Sequence, residues 1–141
     1  MSEEEFRRIY LESKAIEEYI EALRSRYQLV DASEITLNNA KDALRSVSES
    51  GQGQTLMVDV GGGVYVRAAL ADTTRVLVGI GEGVYLEKSR EDAEKILDQK
   101  LESLGKAKET LVQELNRAQV QYADRQSRLS SLSQRMSSGQ K

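Results

Sequence analysis

The sequence contains no cysteine, no histidine, no tryptophan and no proline, and only one phenylalanine. Without cysteine there is no disulfide and no thiol nucleophile, and without histidine there is no imidazole base and no soft metal-ligand set. Most enzyme mechanisms thereby lose their central group, so the chain reads as a non-enzyme with no cofactor and no metal. The absence of proline permits long uninterrupted helices, because proline is the residue that most reliably breaks a helix interior. Aromatic residues make up 5% of the chain, too few to fill the centre of a thick globule. Long apolar runs are missing as well: nothing spans a bilayer, and the opening MSEEEFRRIY is acidic rather than signal-like, so the expectation is a cytoplasmic protein that meets no membrane.

Charge is what the sequence has in quantity. Charged residues reach 30% against 39% hydrophobic, a balance that suits long solvated helices. Lys and Arg number 20 and Asp and Glu 23, with the signs interspersed and a net charge of −3. With a pI of about 5.2 and no basic stripe, nucleic acid is excluded as a partner.

From Ser2 to Ser50 the apolar residues Phe6, Ile9, Ile16, Ile20, Leu23, Tyr27, Val30, Leu37, Leu44 and Val47 recur at intervals of mostly three, four and seven. That is the seam of a coiled-coil helix, with Ser13, Ser33 and Glu34 as interruptions and a shift of register expected between Val30 and Leu37. A second seam is stricter: Leu97, Leu101, Leu104, Lys108, Leu111, Leu115, Ala118, Tyr122, Arg125, Leu129, Leu132 and Met136 alternate steps of four and three. The cationic stems of Lys108 and Arg125 are expected to lie along that seam with their heads in water. Ser2-x-x-Glu5 and Ser89-x-x-Asp92 match capping boxes, and Gly51 and Gly53 supply a helix stop. The spacing therefore predicts helices over 1–50 and 89–137, a linker at 51–54, and a disordered tail at 138–141 within the Ser-rich end SQRMSSGQK. Helices of equal length pair along their whole extent only if antiparallel, which brings Phe6 and Ile9 beside Leu132 and Met136.

Between the helices the period changes to two. Leu56, Val58 and Val60 alternate with Thr55, Met57 and Asp59; Val64, Val66, Ala68 and Leu70 alternate with Tyr65, Arg67 and Ala69; Val76, Val78 and Ile80 form a third strand, and Val84 and Leu86 a fourth. Turn residues fall at Gly61-Gly62-Gly63, Ala71-Asp72-Thr73-Thr74 and Gly81-Glu82-Gly83, making two hairpins over 55–88. Gly79, Gly81 and Gly83 miss the G-x-G-x-x-G spacing and are followed by a strand instead of a helix, and no G-K-[ST] occurs, so the glycines read as a turn and not as a phosphate cradle. Two short hairpins cannot bury both faces of a valine-rich sheet, and open strand edges invite pairing. The strand residues Leu56, Val58, Val60, Val64, Val66, Val76, Val78, Val84 and Leu86 are accordingly expected to join several chains.

This arrangement of helix, two hairpins and helix resembles the α-class subunits of the prefoldin family. MVDVGGGVYVRAAL and DTTRVLVGIGEGVYLEKSREDAEKIL are similar to the family's two hairpins and their entry into the second helix, with Gly61, Gly81 and Gly83 in the family's positions. Asp59 departs from the pattern, standing where members often carry proline before the first turn. The resemblance implies an α+β fold: a long antiparallel two-helix coiled coil with two inserted hairpins that form an oligomeric β-barrel body. It also implies a hexamer of two α-class and four β-class subunits, ATP-independent holding of non-native client polypeptides at the coiled-coil tips, and transfer to a group II chaperonin. Frayed ends would then expose Phe6, Ile9, Leu129, Leu132 and Met136 to clients. The rival readings are an adaptor whose arms dock a partner coiled coil and, less compatible with the glycine spacing, a nucleotide binder.

Overall fold

A computed structural model describes residues 2–139. Six elements follow in order: α1 (Ser2–Ser50), β1 (Thr55–Gly61), β2 (Val64–Ala69), β3 (Arg75–Gly81), β4 (Val84–Ser89) and α2 (Arg90–Ser138). Two long helices with two small antiparallel hairpins between them are thus the fold. The chain divides into two compact units, one made of Met1–Ala32 with Gly105–Lys141, the other of Ser33–Leu104.

In the first unit the helices run antiparallel, and the pairing is fixed by polar side chains. Gln126 Nε2 donates to the Ser13 hydroxyl (2.8 Å), Tyr122 Oη to Glu17 (3.2 Å) and Tyr19 Oη to Glu114 (3.2 Å), while Lys108 Nζ meets Asp31 at 2.9 Å. Its apolar core is the buried set Ile20, Leu23, Leu111 and Ala118, with Ile16, Tyr27, Val30, Leu115 and Tyr122 packed against it. Every residue of the predicted α2 seam from Leu97 to Met136 is buried or half-buried. On α1, Tyr27 and Val30 of the first unit and Glu34 and Leu37 of the second are half-buried, so Glu34 stands at a seam position instead of interrupting it. A glutamate stem at a seam position supplies methylene cover, which residue type alone conceals.

Polar side chains also stand on the seam. Ser13 interrupts the apolar run as expected, but it is buried to 2% exposure and satisfied by Gln126. Lys108 and Arg125 lie along the seam with partly exposed side chains, and their heads are paired: Lys108 with Asp31 and over the Tyr27 ring (5.2 Å), Arg125 with Glu12 and Asp124, each at 2.8 Å.

In the second unit α1 stops at a glycine in the left-handed region, Gly51 at φ 81°, whose N–H reaches the Val47 carbonyl (3.4 Å). Gly53 N–H donates to Leu70 O (2.7 Å) and Leu70 N–H to Gln54 O (2.9 Å), which prolongs the β1–β2 ladder past the strands. Each hairpin turns on two residues of positive φ, Gly62-Gly63 and Glu82-Gly83, as a type I′ turn demands. The register slips in both hairpins, between Asp59 and Gly61 and between Gly79 and Gly81. Val60 and Ile80 are therefore bulge residues that leave the strict alternation expected for them. Asp59 earns its place beside the first bulge by accepting the Gly61 N–H at 2.8 Å.

Ser89 closes β4 and caps α2, accepting the Asp92 N–H at 3.1 Å, so the helix proper starts at Arg90. At the other end α2 extends through Ser138, because the Ser137 and Ser138 hydroxyls bond back to Gln134 O and Gly139 N–H caps Arg135 O. The helix thus ends one residue beyond the expected 137, and of the expected tail Gln140 and Lys141 lie outside the described residues.

Candidate functional site

Two surfaces carry exposed apolar side chains that a lone chain does not cover. The first is built by the hairpins. Among the described residues β1 pairs only with β2 and β3 only with β4, in two separate two-stranded sheets, so each hairpin has unpaired outer edges there. Period-two alternation puts Leu56, Val58, Val66 and Ala68 on one face of the first hairpin and Met57, Asp59, Tyr65 and Arg67 on the other. Leu56, Val58, Val60, Val64, Val66, Val84 and Leu86 are all exposed, while Val76 and Val78 are half-buried. The difference comes from the helices of this unit: β3 lies along an apolar cleft of about 340 Å³ lined by Ala40, Leu44, Val76, Val78, Ala93, Ile96 and Leu97. Small alanines there let the strand approach.

The glycine run from Gly79 shapes the second hairpin. A Cβ on Gly79 would stand 3.1 Å from the Tyr85 ring, so the ring of the cross-strand tyrosine lies over the glycine, and Gly81 and Gly83 have positive φ. The connection between hairpins is tied down at both ends. Arg90 donates through its guanidinium to Thr73 O and through its backbone N–H to Thr74 O (2.9 Å). The Asp72 carboxylate accepts the Thr74 N–H and hydroxyl, both at 2.8 Å, and the Arg75 N–H at 3.3 Å. Those donors, the Thr74 N–H first, hold the Asp72 pKa below its ordinary value of 3.8.

The second surface is the end of the helix pair in the first unit. Ile9 and Leu132 are buried, at 2% and 3% exposure, whereas Phe6, Leu129 and Met136 are half-buried. The helix pair brings all five to one end, but two of them contribute no free surface while it is closed. Next to them Glu12 and Asp124 flank Arg125, whose pKa is raised chiefly by the Glu12 hydrogen bond. Sequence reading missed Tyr10 and Leu11, which are exposed apolar residues on the outside of α1; lying off the seam, they give no periodic signal. Among the described residues no cluster of acidic side chains is arranged to hold a metal ion, and no helix is long and apolar enough to cross a membrane.

The model of the family described as "Prefoldin subunit" matches residues 16–135. The chain belongs to the prefoldin family. Among curated proteins it is similar to prefoldin subunit alpha of Methanopyrus kandleri, 29% identical over 113 residues that make up 80% of this chain and 72% of that one. Prefoldin subunit alpha of Thermofilum pendens is 28% identical over 110 residues, 78% of this chain and 85% of the relative. Among solved structures, filamentous PFD from Methanocaldococcus jannaschii, determined by cryo-EM, superposes with a TM-score of 0.71 at 26% identity, covering 79% of this chain and 93% of that one. These relatives support an α-class prefoldin subunit, and with it a chaperone-type role and no sign of catalysis.

Proposed function

We propose that the chain is one subunit of an ATP-independent holding chaperone, in which the hairpins join it to β-class subunits and the paired helix ends grip non-native polypeptide. The observation that carries this reading is the set of exposed strand residues Leu56, Val58, Val60, Val64 and Val66 on a hairpin with unpaired edges, in a chain that matches prefoldin. Two-stranded hairpins are marginal alone, so pairing of these edges with other chains is the arrangement that best stabilises them. The assembly is a hexamer of two α-class and four β-class subunits around a β-barrel body. Val76, Val78, Val84 and Leu86 take the same part in the second hairpin.

Clients are apolar segments of unfolded chains, held by Phe6, Ile9, Leu129, Leu132 and Met136 and handed to a group II chaperonin. A fully buried side chain of this size contributes about 1.5–3 kcal/mol and a half-covered one much less, so a single end binds weakly. Several ends acting on one client raise avidity without a tight site, which permits release without nucleotide. The test is to mix the chain with a β-class subunit and a denatured, aggregation-prone enzyme. A chaperone subunit keeps the enzyme soluble without ATP; an adaptor that only docks coiled coils leaves it to aggregate.

A further inference from the structure

The apolar seam of the first unit is not continuous. Its core cluster gathers Ile20, Leu23, Leu111 and Ala118, with Ile16 and Tyr122 packed against it, and the buried pair Ile9 and Leu132 does not belong to that cluster. Between the two apolar groups stands a layer of polar side chains. Ser13, at 2% exposure, accepts 2.8 Å from Gln126 Nε2, and one position away Arg125 Nε donates 2.8 Å to Glu12 while its Nη1 holds Asp124.

We infer that the layer of Glu12, Ser13, Arg125 and Gln126 divides the helix pair into a main core and a distal latch, and that the latch opens as one unit while the core stays closed. The physical reason lies in what each group gains from closure. Apolar side chains lose their burial when the helices part, whereas serine, glutamine and the ion pair exchange protein partners for water and lose little. Opening that starts at the free end must therefore expose Ile9 and Leu132, but at the polar layer the coupling to Ile16 and the core passes through hydrogen bonds and an ion pair, which water can replace. Specific polar partners also restore one register when the latch shuts, the best-attested role of a polar layer in a coiled coil. Opening would uncover Ile9 and Leu132, which the closed helices hide. That use of the latch rests on the client reading above; the latch itself does not.

Hydrogen exchange on the full chain, read by mass spectrometry, tests it. The amides of residues 5–11 and 127–137 should exchange at a common rate about tenfold or more faster than those of 16–30 and 108–122, with the step at the polar layer. A gradual gradient from the helix ends, or protection of the ends equal to that of the core, overturns the inference. Joining the cores by Ser13→Leu with Gln126→Leu should slow exchange of the distal amides about tenfold and leave the core amides unchanged. Ser13→Ala with Gln126→Leu is the milder version, and far-UV circular dichroism establishes that either variant is folded. Unaltered distal exchange in a folded variant also overturns the latch; if neither folds, the step in the wild-type chain decides. Slowed distal exchange together with undiminished suppression of client aggregation in the assembled complex leaves the latch standing and removes its role in client capture.

Discussion

Lys108 stands 2.9 Å from Asp31 and 5.2 Å from the centre of the Tyr27 ring, so a cation at a seam position of α2 is held by an anion and an aromatic face of α1. Asp31→Asn should lower stability by about 0.5–1 kcal/mol, because the side chains are partly exposed and the pair is screened. Thermal melts at low and high salt check this: the difference between wild type and variant should shrink as salt rises.

Val64→Lys places a charge on an exposed strand residue next to the first turn, and Val78→Lys places one where β3 meets the apolar cleft. In the proposed assembly both should block joining to β-class subunits, since an apolar strand face covered by another chain would leave an ammonium without a partner. Light scattering should show hexamers for the wild-type mixture and smaller species for each variant. Val78→Lys should in addition destabilise the second unit.

Replacing Phe6 and Met136 together by Ser removes half-buried apolar surface from the helix end. Assembly should survive and suppression of client aggregation should fall. Adding Ile9→Ser and Leu132→Ser, which lie at 2% and 3% exposure, should lower it further and also loosen the end, at about 2–5 kcal/mol for each buried apolar side chain truncated.

Gly105 lies within α2, and a Cβ there would meet nothing within 4 Å. Gly105→Ala should raise stability by about 0.5–1 kcal/mol, because alanine restricts the unfolded chain and fits the helix without a clash. A midpoint shift in denaturant with unchanged slope is the expected readout.

Asp72 is a carboxylate whose pKa is lowered from 3.8 by the Thr74 N–H, then by the Thr74 hydroxyl. A depressed folded value means its contribution is fully present above the unfolded value and fades as pH falls through the folded one. The connection between the hairpins should therefore loosen below pH 3.8, seen as faster exchange of the Thr74 and Arg75 amides after their intrinsic acid dependence is removed. Asp72→Asn should abolish that pH dependence.

The order of elements, the helix seams and the hairpin turns were legible because each rests on a local rule. Period decided helix against strand, Ser89 and Gly51 marked helix ends, and the glycines at 61–63, 81 and 83 marked the turns. The end of α2 fell within one residue of the expected 137, with the Ser137 and Ser138 hydroxyls bonding back to Gln134 O. The bulges at Val60 and Ile80 escaped because an extra residue shows only once two strands are laid side by side.

The sequence by itself determined that two long seamed helices flank four short strands, since periodicity is a property of one chain segment at a time. Only the tertiary structure decided which seam residues are polar and satisfied, through pairs such as Ser13 with Gln126 and Arg125 with Glu12 that are far apart in the chain. It also decided that Ile9 and Leu132 are hidden while Phe6 and Met136 are half open. Burial depends on what the opposite helix brings, and no single helix carries that information.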